Sequence, residues 1–116
     1  MFFNTNVLGL LALVASATAY TTTCQTSGAS PSVGDARNLA NQISGTACGG
    51  GAGGSACTVR YQSGSASLNV CGPTTPVYCQ SMRDAVNQLI NDCGSGDKVG
   101  GTVRLNDSFR FDLFHS

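Results

Sequence analysis

Six cysteines, Cys24, Cys48, Cys57, Cys71, Cys79 and Cys93, all follow an apolar N-terminal run, and that placement restricts the fold more than any other feature of the chain. The run covers residues 7–15 and is followed by Ala17-Thr18-Ala19, the small-x-small pattern that a signal peptidase accepts. The sequence therefore predicts a secretory signal over 1–19 and a single cysteine-rich domain over 20–116. The apolar run is shorter than the ~20 residues a membrane-spanning helix needs, so no membrane anchor is expected. An even set of cysteines in an exported chain predicts three disulfides. A domain of this size has a thin core, and each bridge is expected to contribute about 2–4 kcal/mol by restricting the unfolded chain. Zinc is disfavoured, because no C-x-x-C pair is present and the only histidine is His115. The expectation is a monomer with no metal and no cofactor.

Six basic residues balance six aspartates, and glutamate is absent. The cations Arg37, Arg60, Arg83, Lys98, Arg104 and Arg110 are scattered singly, whereas nucleic-acid binding needs them clustered against phosphates. Nucleic acid is therefore not an expected partner.

Residues 20–30 are Thr- and Ser-rich and read as an extended arm tied down only by Cys24. A short helix follows: Ser32 with Asp35 three residues on resembles a capping box, and Ala36, Leu39, Ala40 and Ile43 form one apolar stripe. A second helix is predicted with Thr75 as cap, Pro76 in its first turn and Gly94 as terminator. Its apolar face carries Cys79, Met82, Val86, Leu89, Ile90 and Cys93, with the two cysteines about four turns apart and pointing the same way.

Between the helices, "CTVRYQSGSASLNVC" reads as a hairpin around Gly64. Centring it there sets Cys57 opposite Cys71 and permits a cross-strand bridge. The same register sends Val59 and Tyr61 to one face and Leu68 and Val70 to the other, which a bulge would reconcile. The C-terminal "GGTVRLNDSFRFDLFHS" reads as a second hairpin turning at Asn106-Asp107-Ser108. Val103, Phe111 and Leu113 then face the core, while Thr102, Arg104, Arg110 and Asp112 face outward, with the two arginines opposite one another. The predicted fold class is α+β: an antiparallel sheet of two hairpins with two helices packed on one face, stabilised by disulfides.

The stretch "CGGGAGGSAC", from Cys48 to Cys57, lacks the Lys and helix that a phosphate-binding loop requires. It reads as slack between the first helix and the first hairpin, pinned at both ends by cysteines. On that reading, shortening it changes stability little.

No acid–base set converges in the sequence. His115 stands one residue from the C-terminus, and each aspartate has a structural explanation in a cap, a helix, a turn or a strand's outer face. Arg60, Arg104 and Arg110 are candidate partner-binding residues, although the last two also read as solvated side chains beside Asp112. Asn106-Asp107-Ser108 matches the N-x-S glycosylation pattern and is equally a good turn.

The order of parts resembles a known group. A cysteine-tied arm, a short helix followed by "ACG", a hairpin with "NVCG", a helix ending "LINDC" and a closing Gly-rich strand pair are similar to the killer protein 4-like family of small secreted toxins and fungal effectors. The resemblance implies an α/β sandwich of an antiparallel sheet with two helices, no enzyme activity, and growth inhibition of susceptible cells. It further implies interference with calcium uptake through an ion channel, attributed in part to an exposed lysine on the sheet. Here the one lysine, Lys98, follows the second helix, and the first hairpin strand offers Arg60 instead. By the family pattern Cys24 pairs with Cys93 and Cys48 with Cys79, leaving Cys57 for Cys71. The functional expectation is a non-catalytic toxin or effector, active in virulence or competition, that binds a cell-surface or extracellular target. The alternatives are a secreted lipid or sterol carrier of the elicitin type and a small hydrolase using two aspartates.

Overall fold

The computed structural model describes residues 20–116; the expected signal segment, 1–19, lies outside the described residues. In chain order the elements are β1 (Thr21–Cys24), α1 (Val33–Gln42), β2 (Ala47–Cys48), β3 (Cys57–Ser63), β4 (Ala66–Cys71), β5 (Val77–Tyr78), α2 (Cys79–Cys93), β6 (Gly101–Arg104) and β7 (Arg110–His115). The fold is α+β. Five strands form an antiparallel sheet in the order β1-β6-β7-β4-β3, and β2 pairs with β5 separately.

Both expected hairpins are present, as β3–β4 and β6–β7, and the pairing of β4 with β7 joins them into one sheet. The arm does more than the sequence reading allowed. Thr21–Cys24 pairs with β6, from Thr21 opposite Arg104 to Cys24 opposite Gly101, and becomes a fifth, edge strand. Three consecutive β-branched threonines favour that conformation, and β6 would otherwise expose a row of unpaired backbone groups.

The register of β3 shifts between Val59 and Tyr61, which makes Arg60 the bulged residue. Before the bulge Cys57 lies opposite Cys71; after it Tyr61 lies opposite Leu68 and turns toward the core. One extra residue thus resolves the conflict in alternation.

Helix α1 begins as its sequence indicates: the Ser32 hydroxyl accepts a hydrogen bond from the Asp35 backbone N–H at 3.1 Å. The Asp35 carboxylate does not complete the box. It reaches across to the β3–β4 turn, where it accepts from the Ser65 N–H at 2.8 Å and the Ser65 hydroxyl at 2.7 Å. Helix α2 starts later than expected. Thr75 and Pro76 precede it, Tyr78 holds the N-cap position without a side-chain cap bond, and the helix opens at Cys79. The reason is the small β2–β5 pair, which holds Val77 and Tyr78 extended against Cys48 and Ala47.

The core lies between the helices and one face of the sheet. Ala36, Leu39, Ala40 and Ile43 of the first helical segment and Met82, Val86, Leu89 and Ile90 of the second pack with Leu68, Val70, Val103, Phe111 and Leu113. Three disulfides close it: Cys24–Cys93, Cys48–Cys79 and Cys57–Cys71.

The glycine run is not slack, which overturns the expectation that it could be shortened freely. Gly50 and Gly51 are buried against the segment that follows β4. Gly51 N–H donates to Pro73 O at 2.8 Å, Gly53 N–H to Gly72 O at 3.0 Å, and Gly72 N–H to Ala56 O at 3.1 Å. The Arg60 Nε adds a bond to Gly50 O at 2.9 Å. A Cβ on Gly50 would overlap the carbonyl oxygens of Thr75 and Pro73, and one on Gly51 would overlap the backbone of Gly72. Glycine is required here for close backbone approach.

Two predictions follow from this packing. Gly50→Ala or Gly51→Ala should each lower stability by about 1–3 kcal/mol in a denaturant melt, as overpacking against fixed backbone does. Gly28→Ala, where a Cβ meets nothing within 4 Å, should leave stability unchanged or slightly raised. The second concerns acid. The hydrogen bonds from Ser65, backbone first and hydroxyl second, hold the Asp35 carboxyl below its ordinary range. A carboxyl depressed in the folded state stabilises fully above the unfolded value, near ~3.9, and that contribution disappears as pH falls through the lower folded value. Acid unfolding of Asp35→Asn should therefore show a shallower loss of stability below pH ~4 than the parent chain.

Candidate functional site

Turning Leu68 and Val70 of β4 and alternate residues of β6 and β7 into the core obliges their neighbours to form a second face on the side of the sheet away from the helices. Strand pairing aligns that face in rows. One row runs Thr21, Arg104, Arg110, Cys71, Cys57, and the next Thr23, Thr102, Asp112, Asn69, Val59. The face is concave: a cavity of about 640 Å³ is lined by Thr21, Thr23, Asn69, Thr102, Arg104 and Phe114, among others. A neighbouring one of about 360 Å³ is lined by Ser55, Asp107 and Ser108 and shares Arg104 and Arg110 with the first. The two arginines stand between the two hollows.

Direct opposition of Arg104 and Arg110 is unfavourable unless one charge is compensated. Asp112 supplies the compensation. Its Oδ1 lies 3.0 Å from Arg110 Nε, its Oδ2 3.2 Å from Arg110 Nη2, and the Thr102 hydroxyl donates to Oδ1 at 3.0 Å. Arg110 Nη2 also rests 3.3 Å from Cys71 Sγ and 3.5 Å from Cys57 Sγ. Arg104 is different. Its Nη1 reaches only the carbonyl oxygens of Asn106 and Asp107, at 3.4 and 3.5 Å, and among the described residues no carboxylate lies within ion-pair distance of it. The face thus carries one compensated and one uncompensated guanidinium.

The sulfurs of Cys57 and Cys71 and a carboxylate oxygen of Asp112 lie within 4.8 Å of one another. Both sulfurs are joined in a disulfide and the carboxylate is ion-paired, so this cluster offers no thiolate to a metal. Arg60 stands apart from the other two candidate arginines, at the bulge, with its guanidinium holding the glycine segment. The Asn106 side-chain oxygen accepts from the Ser108 and Phe109 N–H groups at 2.8 and 2.9 Å and closes the β6–β7 turn. The aspartates do not converge. Asp35 binds Ser65, Asp84 binds Gln80, Asp92 binds Thr22, and Asp112 is the one carboxylate lining the larger cavity.

The sequence reading placed Thr102, Arg104, Arg110 and Asp112 on a common face but missed Thr21, Thr23, Asn69 and Phe114. Thr21 and Thr23 join it because β1 enters the sheet and Asn69 because β4 pairs with β7, while Phe114 follows Arg110 and Asp112 in the alternation of β7 itself. The run of β-branched residues Thr21-Thr22-Thr23 is the available signal for the strand. Comparison of the chain with protein-family models, with characterised proteins and with solved structures gives no match.

The charge arrangement is directly testable. Asp112→Asn should lower stability by about 1 kcal/mol at low salt, and the loss should shrink as salt screens the Arg104–Arg110 repulsion. Melts of both proteins across an ionic-strength series measure it.

Proposed function

We propose that this chain is a small secreted, non-catalytic protein of the killer-toxin or effector type, binding a target on or near another cell through the outer face of its sheet. The observation that carries the reading is the contrast between the two sides of the sheet. One side is closed by two helices and a continuous core, while the other is an uncovered polar concavity with a free guanidinium. Paired strands fix the backbone of the hollow before a ligand arrives, which favours recognition because little backbone ordering is needed on binding.

Secretion is supported by the signal-like segment and by three bridges with no free cysteine among the described residues, a chemistry suited to oxidising compartments. No helix among the described residues is long and apolar enough to cross a membrane. A non-catalytic role is supported by the larger cavity, whose single carboxylate is already ion-paired, whereas two-carboxylate hydrolysis needs a second acid or base facing it. The killer protein 4-like resemblance belongs to the same reading. Its α+β expectation and its cysteine pattern are compatible with this fold and these bridges. The channel-blocking action it implies finds less support, since Lys98 lies in the α2–β6 connection and Arg60 is engaged with Gly50. The elicitin-type carrier alternative calls for an all-helical fold, and this one is built on a sheet.

Labelled, oxidised protein should bind saturably to susceptible fungal or plant cells or slow their growth, with and without added calcium. Asn69→Arg, which places bulk and charge in the middle of the face, should abolish the effect while all three bridges still form. Turnover of a substrate with no cell binding would overturn the reading.

A further inference from the structure

The side chains that line the outer concavity are largely without partners of their own. Thr21 and Thr23 on β1, Gln25 just beyond it, and Asn69 on β4 make no side-chain hydrogen bond among the described residues, yet all border the same 640 Å³ hollow. Beside them the Asp112 carboxylate accepts three hydrogen bonds, from Thr102 and twice from Arg110, which leaves one of its roughly four acceptor sites open. At one end stands Arg104 with its uncompensated charge; at the other stands Phe114, 37% exposed, two outward positions beyond Arg110 along β7.

This set of groups discriminates among ligands. An extended peptide gains most by adding to a sheet edge, where backbone groups are unpaired, but the hollow lies mainly over the paired interior strands β6, β7 and β4. A nucleic acid would meet one net positive charge, too little to displace counterions usefully. A lipid tail would meet hydroxyls and amides. A sugar chain fits better: its hydroxyls donate and accept at once, as the hydroxyls, carboxamides and Asp112 do, and its apolar C–H face suits the electron-rich face of an aromatic ring. The free guanidinium adds a planar fork matched to a carboxylate.

Resting on the outer-face reading above, we propose that this hollow binds an acidic oligosaccharide. Arg104 takes a uronate carboxylate, Thr21, Thr23, Asn69 and Asp112 hydrogen-bond the ring hydroxyls, and Phe114 packs against a sugar ring. The β-branched threonines are stiff at χ1, so the hydroxyls are held in place before the ligand arrives.

Calorimetric titration of the oxidised protein with a short oligogalacturonate, its methyl ester and an oligoglutamate of equal charge tests this. The acid sugar should bind. Methyl esterification and Arg104→Gln should each weaken binding about tenfold or more, the loss of a charge-assisted hydrogen-bonded pair. Arg104→Lys should recover only part, because the fork is lost, and Phe114→Ala should weaken the acid sugar and its ester alike. Circular dichroism and intact-mass measurement confirm that each variant keeps its fold and bridges. No binding of the oligogalacturonate, binding indifferent to both Arg104→Gln and Phe114→Ala, or equal binding of the oligoglutamate would overturn the proposal. If Asn69→Arg abolishes cell binding while no sugar binds, the outer-face reading stands and the sugar assignment falls.

Discussion

Helix α2 is fastened by a disulfide at each end, and the rest of the molecule is arranged around that fixed bar. Cys79 and Cys93, about four turns apart, share one face at ~3.6 residues per turn, so both bridges leave from the side that also buries Met82, Val86, Leu89 and Ile90. Cys93 holds the edge strand β1 through Cys24, and Cys79 holds the end of β2 through Cys48. The first bridge spans 69 residues of sequence, the second 31 and the third 14, so the longest constraint on the unfolded chain belongs to an edge strand. β1 is four residues long and mostly exposed. It is held by the β6 ladder, by the bridge and by packing along α2, where the Thr22 hydroxyl donates to Asp92 at 3.0 Å.

The third bridge acts differently. Cys57–Cys71 lies on the outer face at the open end of the β3–β4 hairpin, and immediately beyond it the glycine segment folds back on Gly72 and Pro73. The bulge at Arg60 connects these features: the residue that has no partner in the ladder is the one whose guanidinium holds Gly50. A hairpin without the bulge would bury Val59 or expose Tyr61, and it would also lose its grip on the loop.

Much of this was legible in the sequence, and the failures have local causes. Helical periodicity marked both apolar stripes because buried residues at i, i+3 and i+4 leave a strong signal. The C-terminal hairpin was readable because Val103, Phe111 and Leu113 alternate cleanly with Thr102, Arg110 and Asp112. The start of α2 was misplaced because Thr75-Pro76 is a good helix opening in isolation, and only the contact with Ala47 and Cys48 keeps Val77 and Tyr78 extended. The arm and the glycine run were misread for one shared reason. Their order comes from backbone hydrogen bonds to distant segments, β6 in one case and residues 72–73 in the other, and the identity of those backbone partners carries no sequence signature. The hydrogen-bonding half of the outer face was lost with the arm.

The outer face is in turn a consequence of the core. Once Val103 and Phe111 are paired inward, Arg104 and Arg110 are forced opposite one another on the outside, since the side-chain period of a strand is two. That juxtaposition opposes folding, yet Asp112 stands one outward position along the strand, and the pair it forms with Arg110 offsets the repulsion. What is left is a single guanidinium at the boundary of two hollows, anchored by a register that the buried residues dictate. The uncompensated charge therefore cannot relax by sliding the strand, because a slip of one residue would bury arginine and expose phenylalanine. The chemistry offered to a partner is held in place by hydrophobic burial on the opposite side of the same strand, which is how a small protein with a thin core can present a stiff, polar and specifically charged surface.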